Sequence, residues 1–186
     1  MLKKIAFAAL ALVAIFLAVV ATRPSHYKVA RSAVVRAPAS AVYAQIADFH
    51  RWEKWSPWEK LDTAMQKVYS GADGAPGAIY AWKGNDKVGE GRMTLTDARP
   101  GESLAIRLEF VKPFASLCTT GFQFSPNESG TNVTWTMEGD NDFLGKAFAL
   151  FLDMDKMIGG DFERGLAALK ALAEAERPVA VPAAAR

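Results

Sequence analysis

Between residues 65 and 138 the sequence repeats one pattern: short segments of alternating apolar and polar side chains, separated by turn sequences such as GADGAPG, KGND and PNESG. Within Ser103–Val111, every second residue from Leu104 to Phe110 is large and apolar. Because successive side chains of a strand point to opposite faces, such segments build an antiparallel sheet with one apolar and one solvated face. Strands are predicted at Tyr27–Arg36, Met65–Ser70, Ala78–Trp82, Val88–Asp97, Ser103–Val111, Ser116–Ser125 and Thr131–Glu138.

The apolar face of such a sheet needs a cover, and the C-terminal part of the chain supplies one. From residue 143 to residue 175, large apolar side chains recur every three or four positions, which is typical of an amphipathic helix. Gly159 and Gly160 interrupt this pattern and predict either a kink or a thin place where the helix can approach or leave the sheet. A shorter helix is predicted within residues 36–49, where Pro38 suits the first turn. The predicted fold class is α+β, with a curved antiparallel sheet wrapped around one long C-terminal helix.

The N-terminus carries a second strong signal. After Lys3 and Lys4, the segment Ile5–Ala21 has no polar side chain. As a helix it would be about 26 Å long, close to the hydrocarbon thickness of a bilayer at about 30 Å. We therefore expect a membrane anchor within residues 1–22, with the rest of the chain on the periplasmic or extracellular side of the cytoplasmic membrane. The alternative is a secretory signal that is cleaved near Ala21.

The remaining chain shows no internal repeat and no second domain boundary. Residues 23–26 are interpreted as a linker and residues 27–175 as a single domain. Residues 176–186, which contain two prolines, are predicted to be a disordered tail. A total of 186 residues suits one domain of ordinary size.

Charge and motif content exclude several classes of function. The formal net charge of +2 is too small to indicate a nucleic-acid partner. Cys118 is the only cysteine and lies in an alternating apolar segment, so we expect a buried thiol and no disulfide or cysteine zinc site. His26 and His50 are interpreted as surface residues. No motif for a metal, a nucleotide or a catalytic nucleophile occurs in a supporting context, so no cofactor, metal or catalytic residue is predicted.

Several stretches resemble the SRPBCC (START-like, helix-grip) superfamily, specifically its bacterial polyketide cyclase/dehydrase-like branch. They are the first strand with RAPASAVYAQIADFHRWEKWSPWEK after it, GAIYAWKGNDKVGEGRMTLTDARPGESLAIRLEF, TNVTWTMEG and the closing GGDFERGLAALKALAE. The resemblance covers residues 27–175. It implies a helix-grip fold, in which the sheet and the long helix enclose a largely apolar cavity for a flat or chain-like small molecule.

This resemblance identifies candidate ligand-binding residues. The strand candidates are Tyr80, Trp82, Met93, Leu95, Leu108, Phe110, Phe122, Phe124 and Trp135, the helix candidates are Phe151, Met154, Met157 and Ile158, and Trp58 is expected at the cavity mouth. Each of them also fits a plain core position, in which case sheet and helix would close completely. Met154 and Met157 favour a cavity, because thioether side chains adapt to variable shapes.

The stretch RWEKWSPWEK places Trp52, Trp55 and Trp58 within seven positions. Large aromatic residues at this place predict a plug that seals the edge of the core. Two alternatives stay open: an entrance rim that touches ligand, and an exposed contact with a membrane or a partner, since indole rings suit an interface.

The expected function is a membrane-tethered binding domain for a hydrophobic small molecule, either a lipid or an aromatic metabolite. The membrane contact would be made through Ile5–Ala21, and no protein partner is indicated. One alternative is a cyclase/dehydratase-type enzyme, which rests on fold analogy. Its internal polar candidates are Tyr80, Glu90, Arg92 and Thr120. The other alternative is an interaction module that uses the Trp-rich end.

Overall fold

The computed structural model of the chain describes residues 1–176. Its helices are α1 (Leu2–Thr22), α2 (Ala39–Ala47), α3 (Phe143–Phe148) and α4 (Met154–Ala175), with a 3₁₀ helix at Phe49–Lys54. Its strands are β1 (His26–Val35), β2 (Gln66–Ser70), β3 (Ile79–Lys83), β4 (Glu90–Arg99), β5 (Ser103–Lys112), β6 (Ser116–Asn127) and β7 (Gly130–Asp140). Every predicted strand is present, with boundaries within about two residues. The tail predicted at residues 176–186 lies outside the described residues except for Glu176.

The strands form one antiparallel sheet in the order β1-β7-β6-β5-β4-β3-β2. At one end of the sheet His26 lies opposite Asp140, and Ser116 lies opposite Phe110. Because α1 precedes β1 directly, we call this the α1 end. At the other end of the sheet, which we call the far end, Val35 lies opposite Thr131, close to the β6–β7 turn. This curved sheet with its long C-terminal helix confirms the predicted α+β helix-grip fold.

The C-terminal part of α4 packs directly on the concave face of the sheet. Phe162, Leu166 and Leu169 are buried, and the ring of Phe162 stacks on Trp135 with centroids 4.1 Å apart and planes 6° apart. Gly165 allows this approach, because a Cβ there would lie 2.7 Å from Trp135 Cζ3. Since α2 follows β1 at the far end and packs on β6 and α4, it completes the cover there. We call this part of the molecule the closed half.

The final helical region differs from its prediction. Helix α4 runs through Gly159 and Gly160 without interruption, so the two glycines do not divide it. The break comes earlier, at residues 149–153, because Asp153 caps a new helix. Its carboxylate accepts a hydrogen bond from the backbone N–H of Lys156 at 3.0 Å, which satisfies a free donor of the first turn.

Gly159 contributes to packing rather than to bending. The guanidinium of Arg31 on β1 lies across this glycine, where a Cβ would overlap it. Arg31 Nη2 is 2.9 Å from Asp155 Oδ2, and its Nε is 2.8 Å from Glu163 Oε1. These two ion pairs lie on either side of Gly159 in α4, so Arg31 ties the start of the helix to the edge of the sheet.

The Trp-rich stretch forms the 3₁₀ helix and the loop that follows it. Trp52 and Trp55 are buried, and their indole N–H groups donate to the backbone carbonyls of Ile46 and Gln45 at 2.7 and 3.0 Å. Both rings also contact Trp135 in an edge arrangement. These two tryptophans therefore plug the core, as predicted, and they are not available to an external partner.

Helix α1 stands apart from the sheet. It is long and apolar enough to cross a membrane by length and composition, a test that a signal sequence also passes. Its side chains are almost all exposed, with Val20 as the buried residue. Near its C-terminal end it contacts α3, and Phe16 stacks on Phe151 with ring centroids 6.4 Å apart.

Candidate ligand-binding cavity

At the α1 end, the sheet and α4 do not meet. A cavity of about 400 Å³ lies between the strand ends and the first turns of α4, within the range of about 300–1,000 Å³ for small-molecule sites. Residues of six strands, of the loop after the 3₁₀ helix and of α4 line it. We call this part of the molecule the open half, and it contrasts with the closed half beside it.

Most of the candidate ligand-binding residues lie around this cavity. The members that line it are Trp58, Tyr80, Trp82, Met93, Leu108, Phe110, Met154, Met157 and Ile158. They come from segments far apart in sequence, and the antiparallel pairing of β3, β4 and β5 brings the strand members together. Trp58 differs from the other two tryptophans of its stretch, because it is only partly buried; Trp52 also borders the cavity but is buried in the plug, and Trp55 does not line it. Ligand binding by these residues stays a prediction.

The other candidates lie elsewhere. Leu95, Phe122, Phe124 and Trp135 are buried in the closed half, where α2 and the C-terminal part of α4 fill the concave face. Their side chains point to the concave face of the sheet, as those of the cavity residues do. They lie too far along their strands, however, to reach the cavity. Phe151 is 77% exposed and packs on α1 instead of entering the cavity.

Aromatic rings form one wall of the cavity. Trp82 meets Phe110 edge-on with ring centroids 6.0 Å apart, and its indole N–H donates to the carbonyl of Val88 at 3.0 Å. Opposite Trp82 on β4 lies Gly91, where a Cβ would be 2.5 Å from Trp82 Cζ2. The glycine therefore lets the indole lie flat on the neighbouring strand and fixes the shape of this wall.

The other walls contain Met65, Met93, Met137, Met154 and Met157. Methionine is flexible and polarisable, and it fills irregular spaces without imposing one shape. A cavity with rigid indoles on one side and thioethers on the others can adapt to different apolar guests. Met65 and Met137 were not among the predicted residues; Met65 directly precedes β2 and Met137 lies near the end of β7, both at the α1 end of the sheet.

Among the charged residues that line this largely apolar site, one is almost fully buried. The Glu59 side chain is 6% exposed, and its Oε1 accepts a hydrogen bond from the Tyr80 hydroxyl at 2.7 Å. Lys67 Nζ is 2.5 Å from Glu59 Oε2 and 2.7 Å from Glu53 Oε1. Lys67 therefore compensates the buried carboxylate, as a charge in such a position requires. Sequence reasoning missed Glu59, because a glutamate beside Lys60 in a polar stretch gives no sign of burial.

The surroundings of this pair favour the protonated hydroxyl and the charged amine. Burial raises the pKa of Tyr80 well above its usual value, and the hydrogen bond to Glu59 raises it further. For Lys67, burial lowers the pKa, but the hydrogen bonds to Glu53 and Glu59 outweigh burial and the net pKa is raised. At neutral pH Tyr80 holds its proton and Lys67 its charge, which suits a fixed polar contact.

The other internal polar candidates do not form a reactive group. Glu90 and Arg92 pair with Lys112 and Glu109 on the outer face of the sheet. Thr120 is buried, but its hydroxyl already accepts a hydrogen bond from the indole N–H of Trp135. Across the described residues, no cluster of three or more His, Cys, Asp or Glu side chains is arranged to hold a metal ion.

Cys118 is buried, as predicted. Burial raises the pKa of its thiol, and this effect is larger than the opposing one of the side-chain hydrogen bond with Tyr27. The thiolate is therefore disfavoured, and a buried neutral thiol is a poor nucleophile.

The cavity opens to the outside at the α1 end. Leu117 on β6 and Met157 on α4 line it while remaining 53% and 52% exposed, so they form part of its mouth. Polar residues at the same opening include Lys87, Asp140 and Asn141. The site is thus an apolar hollow with one internal polar contact and a mixed rim.

Comparison of this fold with solved structures gives many matches. An uncharacterised protein from Rhizobium leguminosarum matches with a TM-score of 0.61 at 16% identity, over 83% of this chain and 98% of that chain. Protein CV1439 from Chromobacterium violaceum matches with a TM-score of 0.58 at 17% identity, over 79% of this chain and 96% of that one. At these identities the likeness shows a shared fold.

A third match is the di-domain ARO/CYC StfQ from the steffimycin biosynthetic pathway. It aligns with a TM-score of 0.62 at 12% identity, over 81% of this chain and 51% of the longer StfQ chain. No curated protein is similar enough in sequence to be counted as a relative. The family model described as "Polyketide cyclase / dehydrase and lipid transport" matches residues 26–174, which include every strand and all but the last residue of α4. The chain therefore belongs to the polyketide cyclase/dehydrase and lipid transport family.

Proposed function

We propose that this protein is a membrane-tethered binding domain that holds a hydrophobic small molecule, a lipid or an aromatic metabolite, in the cavity of its open half. The observation that carries the proposal is the partly open hollow of about 400 Å³ between sheet and α4. A closed core would have had side chains in contact there, as in the neighbouring half. Here indole, thioether and aliphatic groups surround free space instead.

The chemistry of the wall defines the class of guest. Most of the surface that a guest would meet is apolar, so burial of an apolar body supplies the affinity. The Tyr80 hydroxyl, held by Glu59, offers one polar contact at a fixed position. A molecule with an extended or flat apolar body and one small polar group fits this arrangement.

The tether is the second part of the proposal. The 21 residues of α1 span about 31 Å as a helix, which matches a hydrocarbon core of about 30 Å. We place the folded domain on the periplasmic or extracellular side. Alkaline phosphatase fused after Ala175 should then be active in intact cells. An inactive phosphatase combined with a fluorescent cytoplasmic reporter would reverse the orientation, and release of the domain from the membrane would indicate a cleaved signal.

A fluorescent chain amphiphile, cis-parinaric acid, tests the binding site. Titration of the full chain in detergent micelles should give saturable energy transfer from tryptophan to the probe. In the variant Leu108→Trp, an added indole occupies the hollow, and we expect affinity to fall at least tenfold. The matched control is Val68→Trp, at an exposed apolar position on the outer face of β2. Equal affinity in all three proteins would contradict the proposal.

A second candidate function is a cyclase/dehydratase-type enzyme. It is favoured by the hydrogen-bonded Glu59–Tyr80 pair inside the cavity and by the structural likeness to an ARO/CYC protein. An enzyme would convert its guest, so the molecule that copurifies with Glu59→Gln should differ in mass from the one bound to wild type. A binding protein would carry the same molecule in both.

A further inference from the structure

Exposed apolar side chains gather at the α1 end of the molecule. In the described part of the chain outside α1, the large apolar side chains that stay exposed lie at this end, apart from Leu61 and Val68. We call this group the apolar rim. Its main members are Phe114 and Leu117 at the β5–β6 turn, Leu144 and Phe148 on α3, and Phe151 and Met157 around the start of α4.

Two of the elements that carry the apolar rim are in direct contact through its side chains. Phe114, which is 62% exposed, packs against Phe148 with ring centroids 5.9 Å apart, so the β5–β6 turn and α3 form one surface. An exposed apolar surface of this kind is uncommon on soluble monomers and marks a contact with a partner or a membrane.

The apolar rim is also continuous with α1. Phe151 of the rim stacks on Phe16 of α1, and α3 contacts the same helix. Phe16 lies six residues before the end of α1 at Thr22, which corresponds to about 9 Å along the helix axis. If α1 spans a bilayer, the rim lies at the depth of its last two turns, and amphipathic elements at an interface bury their apolar side to about 5–10 Å.

The linker holds the domain at this depth. Only residues 23–25 separate α1 from β1, and three residues extend over about 10 Å at most. Both the start of β1 and the β5–β6 turn are at the α1 end of the sheet, so the rim faces the membrane from which the chain emerges. The β6–β7 turn, at the opposite end of a strand of 12 residues, is about 40 Å away.

We propose that the apolar rim enters the leaflet of the same membrane that α1 spans, and that the cavity exchanges its guest directly with that leaflet. Leu117 and Met157 belong to both the rim and the cavity wall, so the mouth opens into the lipid. The inference rests on the proposed function, because it requires α1 to be a tether. It also narrows the guest to an amphiphile that resides in the bilayer.

Charge around the rim selects no particular headgroup. Lys112 pairs with Glu90 at 3.2 Å, and Lys156 pairs with Asp153 at 3.2 Å. Asp140 and Lys87, which have opposite charges, both lie at the mouth. Apolar burial rather than attraction to anionic lipid therefore drives the contact, and zwitterionic phosphatidylcholine should support it at both low and high salt.

Fluorescent labels on the full chain in phosphatidylcholine vesicles test this contact. Single cysteines replace Phe114, Phe148, Ser129 and Phe7 in turn, in a Cys118→Ala background, and each carries an environment-sensitive dye. Spin-labelled phosphatidylcholine quenches dyes that touch lipid. We expect labels at positions 114 and 148 to be quenched at least threefold more than the label at Ser129, which lies in the β6–β7 turn.

The label at Phe7 separates two kinds of failure. Strong quenching at Phe7 combined with quenching at 114 and 148 no greater than at Ser129 overturns rim insertion and leaves the tether intact. Absence of quenching at Phe7 overturns the tether and this inference with it. Shielding at 114 and 148 that grows with the protein-to-lipid ratio, without lipid quenching, assigns the rim to a second copy of the chain and also overturns the inference.

A kinetic measurement keeps the inference testable if labels disturb the rim. Vesicles loaded with cis-parinaric acid deliver the probe to the reconstituted protein, and energy transfer from tryptophan reports its arrival. The double variant Phe114→Asp/Phe148→Asp should receive the probe at least fivefold more slowly, while its equilibrium affinity for the probe in detergent stays unchanged. Val68→Asp is the matched control and should behave like wild type. Unchanged delivery in the rim variant contradicts exchange through the leaflet.

Discussion

The closed half and the open half of this molecule are made from the same strands, the same side-chain parity and the same helix. In the closed half the rings of Trp135 and Phe162 stack with centroids 4.1 Å apart, so sheet and helix are in direct contact there. In the open half the strand ends and the first turns of α4 surround about 400 Å³. Position along the strand, rather than the choice of face, therefore decides whether a residue packs in the core or lines a site.

Two local features account for the difference. Gly165 allows the closed half of α4 to approach Trp135, and α2 fills the region beneath the far end. At the α1 end α2 does not reach the sheet, and the chain between α3 and α4 runs outward to contact α1 through Phe151. The cavity remains at the α1 end, where α2 and the closed half of α4 no longer cover the sheet.

The largest difference between the halves should appear when a large side chain is removed from each. Phe162→Ala deletes a buried ring from a filled core, and we expect the free energy of unfolding to fall by about 3–5 kcal/mol. Met157→Ala removes an exposed side chain at the cavity mouth, and we expect a loss of less than about 1 kcal/mol. Guanidinium unfolding of the full chain in mild detergent, followed by circular dichroism, measures both. Equal losses would contradict the division into two halves.

A smaller loss of stability should follow when the buried charge of the open half loses its partner. Lys67→Met leaves the buried carboxylate of Glu59 without its cation, which should destabilise the fold by about 2–3 kcal/mol because an unpaired buried charge is costly. Adding Glu59→Gln removes the charge and should recover most of this loss. The same unfolding measurement applies. If the double variant is no more stable than Lys67→Met alone, the ion pair is not what compensates Glu59.

Two glycines of α4 give a matched pair with opposite signs. Gly165→Ala places a methyl group against Trp135 in the closed half, and we expect a loss of about 1–3 kcal/mol from overpacking. At Gly160 the nearest atom to a new Cβ is Arg164 Nη1 at 3.6 Å. Gly160→Ala should therefore stabilise the helix by about 0.5–1 kcal/mol. Destabilisation by both would mean that α4 is not a regular helix at Gly160.

The smallest predicted effect is the change of folding stability with pH. Burial raises the pKa of Tyr69 to about 12, and the pKa of Tyr27, Tyr43 and Tyr80 is raised mainly for the same reason. Above about pH 10 the unfolded chain releases phenol protons that the folded chain retains, so stability should fall as pH rises from 10 to 12. Phenolate absorbance of the native protein should show Tyr69 ionising at about pH 12 rather than near pH 10. Ionisation of Tyr69 near pH 10, with the fold intact, would contradict its burial.

Much of the fold could be predicted because it depends on short-range patterns. The alternation within Ser103–Val111 and Thr131–Glu138 directly indicates strands, and the resemblance supplied their arrangement around a helix. The sequence left two readings of Gly159-Gly160 open, a kink or a thin place for close approach. The packing of Arg31, more than a hundred residues away, across Gly159 fits the second reading, and α4 continues through both glycines because tertiary packing outweighs their low helix propensity.

The site was predictable only in part, for a similar reason. Strand parity gives the concave face, to which Trp82, Met93 and Leu108 of the cavity wall belong, but Phe122 and Phe124 share that parity and lie in the closed half. Parity carries no information about where along a strand the covering helix ends. Glu59 escaped notice because its burial depends on a tyrosine 21 residues later in the sequence.

Native mass spectrometry of the full chain, released from membranes of its own host, tests the open half as a ligand site most directly. We expect wild type to carry a noncovalent apolar adduct that is absent from Leu108→Trp and from Met93→Trp, two variants that fill the hollow from paired positions on β5 and β4. Gly160→Ala should keep the adduct. A wild-type protein without any adduct, or filled variants that retain it, would contradict the assignment of this cavity to a hydrophobic guest.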